Sequence, residues 1–200
     1  MPRTGTISLL LVACLAACET QRPSVYSSLE SSTELFALHP ADIAILPVED
    51  ATPDGNAKEV LDSVRAAIAE ALVQRMYTPL SPAKIDEVLA DAEVRSPTTS
   101  VLDAAWLGSI EGRFGEDGTL AVRITQWDTS SLMATGRVRF AADISLVSPT
   151  ADAPLWSGVL KGAVKAGGLG PAPRDRTGRA RSAAAEFAGE LVRLLPKRRL

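Results

Sequence analysis

The sequence predicts an α+β fold: a two-layer sandwich whose mixed sheet ends in an antiparallel meander and is covered by helices. Three observations carry this. An apolar run at residues 42–48 leads directly into a stripe of helical period. Three strand-like segments follow between residues 119 and 164, the first two alternating apolar and polar residues with the period of two expected of half-buried strands. A second apolar stripe at helical spacing closes the chain.

Each element has its own signal. Residues 42–48 (Asp-Ile-Ala-Ile-Leu-Pro-Val) are apolar on both faces, so they read as a strand covered on two sides or central in its sheet. Asp54-Gly55-Asn56 marks a turn. Asn56 with Glu59 three residues on resembles a capping box, opening a helix whose stripe is Val60, Leu61, Val64, Ile68, Leu72 and Met76. Residues 77–80 read as a short strand. Ser81-Pro82 starts a helix with Ile85, Val88, Leu89 and Ala92 on its face, and the Arg-Ser-Pro-Thr-Thr run at 95–99 ends it. Ser100 with Asp103 caps another helix, expected to run through Leu107 and Ile110 to Phe114, where Gly115 suits a left-handed end.

The meander follows the Asp117-Gly118 turn. Its strands are expected at 119–127 (Leu120, Val122 and Ile124 on one face), 137–147 and 155–164. In the middle strand Val138, Phe140, Ala142, Ile144 and Leu146 share the core face, with Arg139, Asp143 and Ser145 opposite. The Gly- and Pro-rich residues 167–173 form a loop. A last helix over 177–195 turns Ala180, Ala184, Phe187, Leu191 and Leu194 inward.

Ahead of this lies a lipoprotein signal. Arg3 is the positive n-region, Ile7 to Leu15 the apolar h-region, and Leu15-Ala16-Ala17-Cys18 a lipobox. The apolar run is too short for a permanent membrane-spanning helix. Cys18 is the expected lipidation site and the first mature residue. The lipid chains on it would hold the protein to a membrane surface, at roughly 0.8 kcal/mol for each buried methylene. Glu19 after the cysteine favours the outer membrane by resemblance to enterobacterial sorting. The expected organisation is a signal peptide over 1–17, a flexible Ser-rich tether over 18–37, and one domain over 38–200.

Composition narrows the chemistry. The only cysteines are Cys14, lost with the signal, and Cys18, so the mature domain has neither thiol nor disulfide. Aromatic residues are only 4% of the chain, which points to an aliphatic core. The net charge is −3, unevenly spread: residues 171–200 hold eight Lys/Arg against three Asp/Glu. That basic tail suits either a solvated final helix or contact with anionic lipid headgroups, lipopolysaccharide phosphates or cell wall.

Catalytic motifs are scarce. His39 is the single histidine, so metal sites needing several His or Cys ligands are excluded by count, and His39 reads as a surface residue. There is no nucleophile elbow and no phosphate-binding P-loop. Gly167-Gly168-x-Gly170 runs into Pro-Ala-Pro instead of a helix start, which argues against phosphate cradling. Glu49, Asp50 and Asp54 cluster after the first strand and are either a solvated loop or a catalytic or metal-binding group. Trp127-Asp128 and Trp156 either anchor a partner or cover a core edge. No catalytic residue, cofactor or metal is expected.

Three patterns carry a family resemblance: Ala44-Ile-Leu-Pro-Val48, Val122-Arg-Ile-Thr-Gln-Trp-Asp-Thr-Ser130, and Asp143-x-x-Leu146-Val147 leading to Leu155-Trp156-Ser-Gly158. Together they resemble the bacterial lipoprotein family of the Neisseria genome-derived antigen type. That family is related in fold to CsgG, to the LpoB activator of penicillin-binding proteins and to the TolB N-terminal domain. The resemblance spans about residues 42–164 and the lipobox, and it brings no catalytic residues. It implies a non-enzymatic envelope lipoprotein, anchored through Cys18 and facing the periplasm. Its expected role is as an accessory or adaptor for an envelope transport or cell-wall complex. The expected partners are membrane lipid and an envelope protein, with homo-oligomers open and no nucleic acid. A CsgG-like channel subunit is the alternative, although no insertion here is long enough for a pore hairpin. An envelope hydrolase using Glu49, Asp50 and Asp54 is a third.

Overall fold

The computed structural model describes residues 25–91, 100–168 and 170–198. Cys18, the signal peptide, Ala92 and the helix break at 95–99 lie outside the described residues.

Among the described residues the strands are β1 (Tyr26–Ser27), β2 (Glu30–Ser31), β3 (Asp42–Ile45), β4 (Glu49–Asp50), β5 (Thr78–Pro79), β6 (Gly118–Asp128), β7 (Arg137–Val147) and β8 (Trp156–Lys165). They form one mixed sheet in the order β1-β8-β7-β6-β3-β5, with β2 also on β8 and β4 also on β6. β3 pairs in parallel with β5 and β6, β4 in parallel with β6, and the remaining pairs are antiparallel. The helices are α1 (Thr33–Leu38), α2 (Leu61–Gln74), α3 (Pro82–Leu89), α4 (Ala104–Ile110), α5 (Leu132–Thr135) and α6 (Arg176–Leu194). This is the predicted α+β class with its C-terminal meander.

Strand alternation sorts the core. Ile43, Ile45, Leu120, Val122, Phe140, Ile144 and Leu160 face α2 and α6, where Val64, Ile68, Leu72, Phe187 and Leu191 complete the main cluster. Ala44, Leu46, Ala121 and Val147, one residue out of phase, face the other way and meet Ile85 of α3 and Leu107 and Ile110 of α4. The helices thus cover one face along its length and add a smaller second core behind the parallel strands. Arg65 of α2 joins the two sides. Its Nε donates to the Ile45 carbonyl at 2.9 Å, and its Nη1 to both Asp86 carboxylate oxygens of α3 at 2.7 and 3.0 Å.

Several expectations change. The expected tether is partly structured: β1, β2 and α1 occupy residues within 25–38, and Leu35 is buried in the main core. Ser32 caps α1 by accepting the Leu35 N–H. The expected strand at 42–48 divides at Pro47, which has no N–H to donate to a ladder. Asn56 does not cap α2; its own N–H goes to the Thr52 hydroxyl at 2.7 Å, and a 3-10 turn at Lys58–Val60 leads into the helix. Asp103 does cap α4, accepting from the Trp106 N–H, but that helix ends at Ile110. Buried Glu116 then accepts from the Gly112 and Phe114 N–H groups at 2.7 and 3.0 Å and holds the turn that replaces the helix.

Candidate functional site

The carboxylates after β3 do not converge. Glu49 points to the smaller core, where Oε2 accepts from the Ser100 hydroxyl and the Val101 N–H, both at 2.8 Å, and Oε1 lies 3.3 Å from Arg123 Nε. Asp50 serves the following loop. Its Oδ1 accepts from the Thr52 N–H and hydroxyl at 2.9 and 2.6 Å, and its Oδ2 from the Ala57 N–H at 3.2 Å. Asp54 is exposed in the turn beyond. Adjacent strand residues point to opposite faces, so Glu49 and Asp50 cannot share a ligand through their side chains. Their oxygens instead pin loops.

A polar groove of about 300 Å³ lies at the C-terminal end of β6, between the Thr52–Asn56 turn and residues 125–130. Asp128 lines it. The Ser130 hydroxyl and N–H and the Arg139 guanidinium hold its carboxyl well below the usual range, at about 2. Trp127 is buried under the groove and packs edge-on against Phe187, 6.0 Å between ring centres. Trp156 is equally buried. Both tryptophans cover core, and neither offers a free face to a partner.

The glycine loop carries no phosphate cradle at its helix. The N-terminus of α6 is filled by its own Asp175, whose carboxylate accepts from the Gly178 N–H at 2.7 Å. That bond holds the Asp175 carboxyl below its ordinary value. The Gly167 N–H donates to Ser182 Oγ at 2.7 Å and fastens the loop to the helix.

At the opposite end of the sheet, below the N-termini of β3 and β5, is a larger and more apolar groove of about 740 Å³. Leu35 and Phe36 of α1, His39, Tyr77 after α2, and Lys197 and Arg198 after α6 border it. The C-terminal segment is stapled in place: the Tyr77 hydroxyl donates to the Pro196 carbonyl at 2.8 Å, Arg198 N–H to the Arg75 carbonyl at 3.2 Å, and Arg198 Nε to the His39 carbonyl at 3.4 Å. Burial pushes the Tyr77 phenol up, opposed in part by the nearby Arg75 and Arg198 charges. This groove has no counterpart in the sequence reading, which puts His39 on the surface and α1 in a tether. The signal that could have found it is Thr33-Glu34-Leu35-Phe36-Ala37-Leu38, a run of mostly good helix formers directly after a capping serine.

Fold and grooves together define an α+β domain built on a mixed, meander-ended sheet. No protein family and no curated relative matches the sequence. Among solved structures the chain is similar to lipoprotein GNA1162 from Neisseria meningitidis, at 23% identity over 62% of this chain and 84% of that one, with a TM-score of 0.46. It is also similar to the PelC dodecamer from Paraburkholderia phytofirmans (14% identity, 88% and 99% of the two chains, TM-score 0.47). The LpoB C-terminal domain from Salmonella enterica is a third (20% identity, 62% and 82%, TM-score 0.42).

Proposed function

We propose that this chain is an envelope lipoprotein, acylated at Cys18, that acts as a non-enzymatic accessory or adaptor for an envelope complex serving transport or cell-wall work. The observation that carries the reading is the lipobox Leu15-Ala16-Ala17-Cys18, whose cysteine stands seven residues before Val25, the first described residue. Glu19 directs the anchored protein to the outer membrane, with the domain in the periplasm. Glu49 and Asp50, two of the three carboxylates a hydrolase would have used, hold loops in place, which supports surface contact as the means of action. Tethering concentrates that surface near any partner confined to the same membrane. No described helix is long and apolar enough to cross a membrane, so attachment in this reading rests on the lipid.

The test is to express the full chain in a bacterial host, separate membrane from soluble fractions and weigh the N-terminal peptide. The expected peptide begins at Cys18 and carries acyl mass, and Cys18→Ala leaves it unacylated and unprocessed. An unmodified Cys18 overturns the anchor. Crosslinking in intact envelopes then tests the adaptor role: one specific partner, recovered less well when Cys18 is replaced, supports it, and purely nonspecific recovery rejects it.

A further inference from the structure

We infer that one end of the sheet, where α5, the start of β7, the end of β8 and the start of α6 meet, docks on the surface of an anionic phospholipid bilayer. The inference deepens the lipoprotein reading and rests on it. Of the eight Lys/Arg in residues 171–200, four (Arg174, Arg176, Arg179 and Arg181) stand at the start of α6. Arg179 fastens that start to α5: its Nη1 donates to the Leu132 and Met133 carbonyls at 3.1 and 2.7 Å, and its Nε to the Pro173 carbonyl at 2.8 Å. Arg176 Nη2 donates to the Thr129 hydroxyl at 3.0 Å. The Ala166 N–H donates to the Gly136 carbonyl at 2.8 Å, which ties in the end of β8. There Lys165 lies directly opposite Arg137, both exposed and on one face of the sheet. Met133, whose carbonyl Arg179 holds, is itself 47% exposed.

Two observations name the occupant. The first is charge. Of the carboxylates beside these cations, Asp128 is engaged by Arg139 and Ser130, and Asp175 by the Gly178 N–H. Glu59 borders the cleft under Arg176 on the α2 side, so the positive surplus lies over the meander half of this end. Cations there meet lipid phosphate, and Met133 enters the headgroup boundary. The second is where the tether leaves the fold. β1 runs antiparallel to β8, with Tyr26 opposite Lys161 and Ser27 opposite Leu160, so the chain enters β1 from the Lys165 side. Cys18 stands seven residues before Val25, a reach of at most about 25 Å. Lys165 is four strand residues beyond Lys161, only about 13 Å. Acyl chains on Cys18 therefore meet the bilayer on the side where the cations gather. An anchor at the opposite end would need the tether to double back along the sheet. Docked this way, the domain presents the groove of Phe36, His39 and Tyr77 away from the membrane.

The experiment uses the full-length purified protein on vesicles of phosphatidylglycerol and phosphatidylcholine, or of phosphatidylcholine alone, read by hydrogen exchange. Slowed exchange at residues 132–137 and 174–178 is expected on the anionic vesicles only. Lys165→Gln and Arg174→Gln should each lower the docked-to-free ratio about fivefold, the contribution of one basic residue at an anionic surface. Met133→Ser, which leaves the cations intact, should lower it as well. Lys197→Gln, at the far end of the sheet and beyond the screening length, should leave it unchanged. An equal fall for Lys197→Gln would mean that net charge and not this end is read, and overturns the inference. So does equal exchange on both vesicle types, or slowing at residues 35–39 and 195–198 in place of this end. Protection that grows with protein concentration in the absence of lipid would assign the face to a second copy and overturns it too. The mass of the Cys18 peptide is read on the same sample. Acylated Cys18 without lipid-dependent protection removes the docking face and spares the lipoprotein reading; unmodified Cys18 with such protection does the reverse.

Discussion

Asp128 accepts from the Ser130 hydroxyl and N–H and from Arg139, and these contacts hold its carboxyl at about 2 against an ordinary 3.8. The lower folded-state value means that its stabilisation is complete above the unfolded value and is lost as pH falls from about 4 to about 2. Arg139 is 69% exposed, so the benefit is small. Asp128→Asn should cost less than about 1 kcal/mol in urea unfolding at pH 7 and nothing near pH 2. An equal loss at both would mean that charge is not the cause. Glu186 has the opposite sign. Burial raises its carboxyl, and the Glu190 charge adds to the effect. Its penalty is absent below the unfolded value of 4.5 and develops as pH rises through that value to the raised folded one. Glu186→Gln should therefore raise Tm at neutral pH and leave it unchanged in acid, which a thermal melt across pH will read. Ser130 and Glu190 stand two and four residues away along the chain, but Asp128 meets Arg139 only through strand pairing and Glu186 is desolvated only by the packing around α6.

Among the elements, β-bulges explain where alternation misled. Between Ile124 and Gln126 the β6–β7 register shifts by one residue, so Thr125 is extra and Trp127, not Gln126, comes opposite Phe140. Ile124 and Trp127 thereby face the same core. The β3–β4 edge does the same at Pro47: Ile45 pairs with Leu120 but Glu49 with Arg123, and Ile45 and Val48 share the main core. A period of two cannot announce its own interruption. Gly158 marks another decision made between elements. Its φ is +142°, and a Cβ there would lie 2.4 Å from the Ser28 carbonyl oxygen. Gly158→Ala should therefore peel β1 and β2 from β8, removing hydrogen-exchange protection at Ser28 and Ser32, whose N–H groups bond Val159 and Leu155, at a cost of about 2 kcal/mol. Gly108, inside α4 with nothing within 4 Å of a Cβ, is the control: Gly108→Ala should stabilise by about 1 kcal/mol.

Across the domain, Phe187 joins the last helix to the sheet, edge-on to Phe140 at 4.8 Å and to Trp127 at 6.0 Å. Phe187→Ala should cost about 3–5 kcal/mol and weaken all parts of the main core together, seen as one shifted transition in denaturant by both fluorescence and circular dichroism. Separate transitions would show that α6 folds apart from the sheet. The secondary-structure class, the meander and the inward faces of β7 and α6 are legible along the chain, because periodicity is a local property written into each element. So is the lipobox, a contiguous chemical signal. Three-dimensional contact is what brings residues 26–38 into the fold, since the two-residue strands exist only against β8 and α1 is held by one buried leucine. Contact also separates Glu49 from Asp50 by placing them on opposite sheet faces. And it assembles the lower groove from three chain segments more than thirty positions apart, where no window of sequence could show exposed Phe36 beside Arg198.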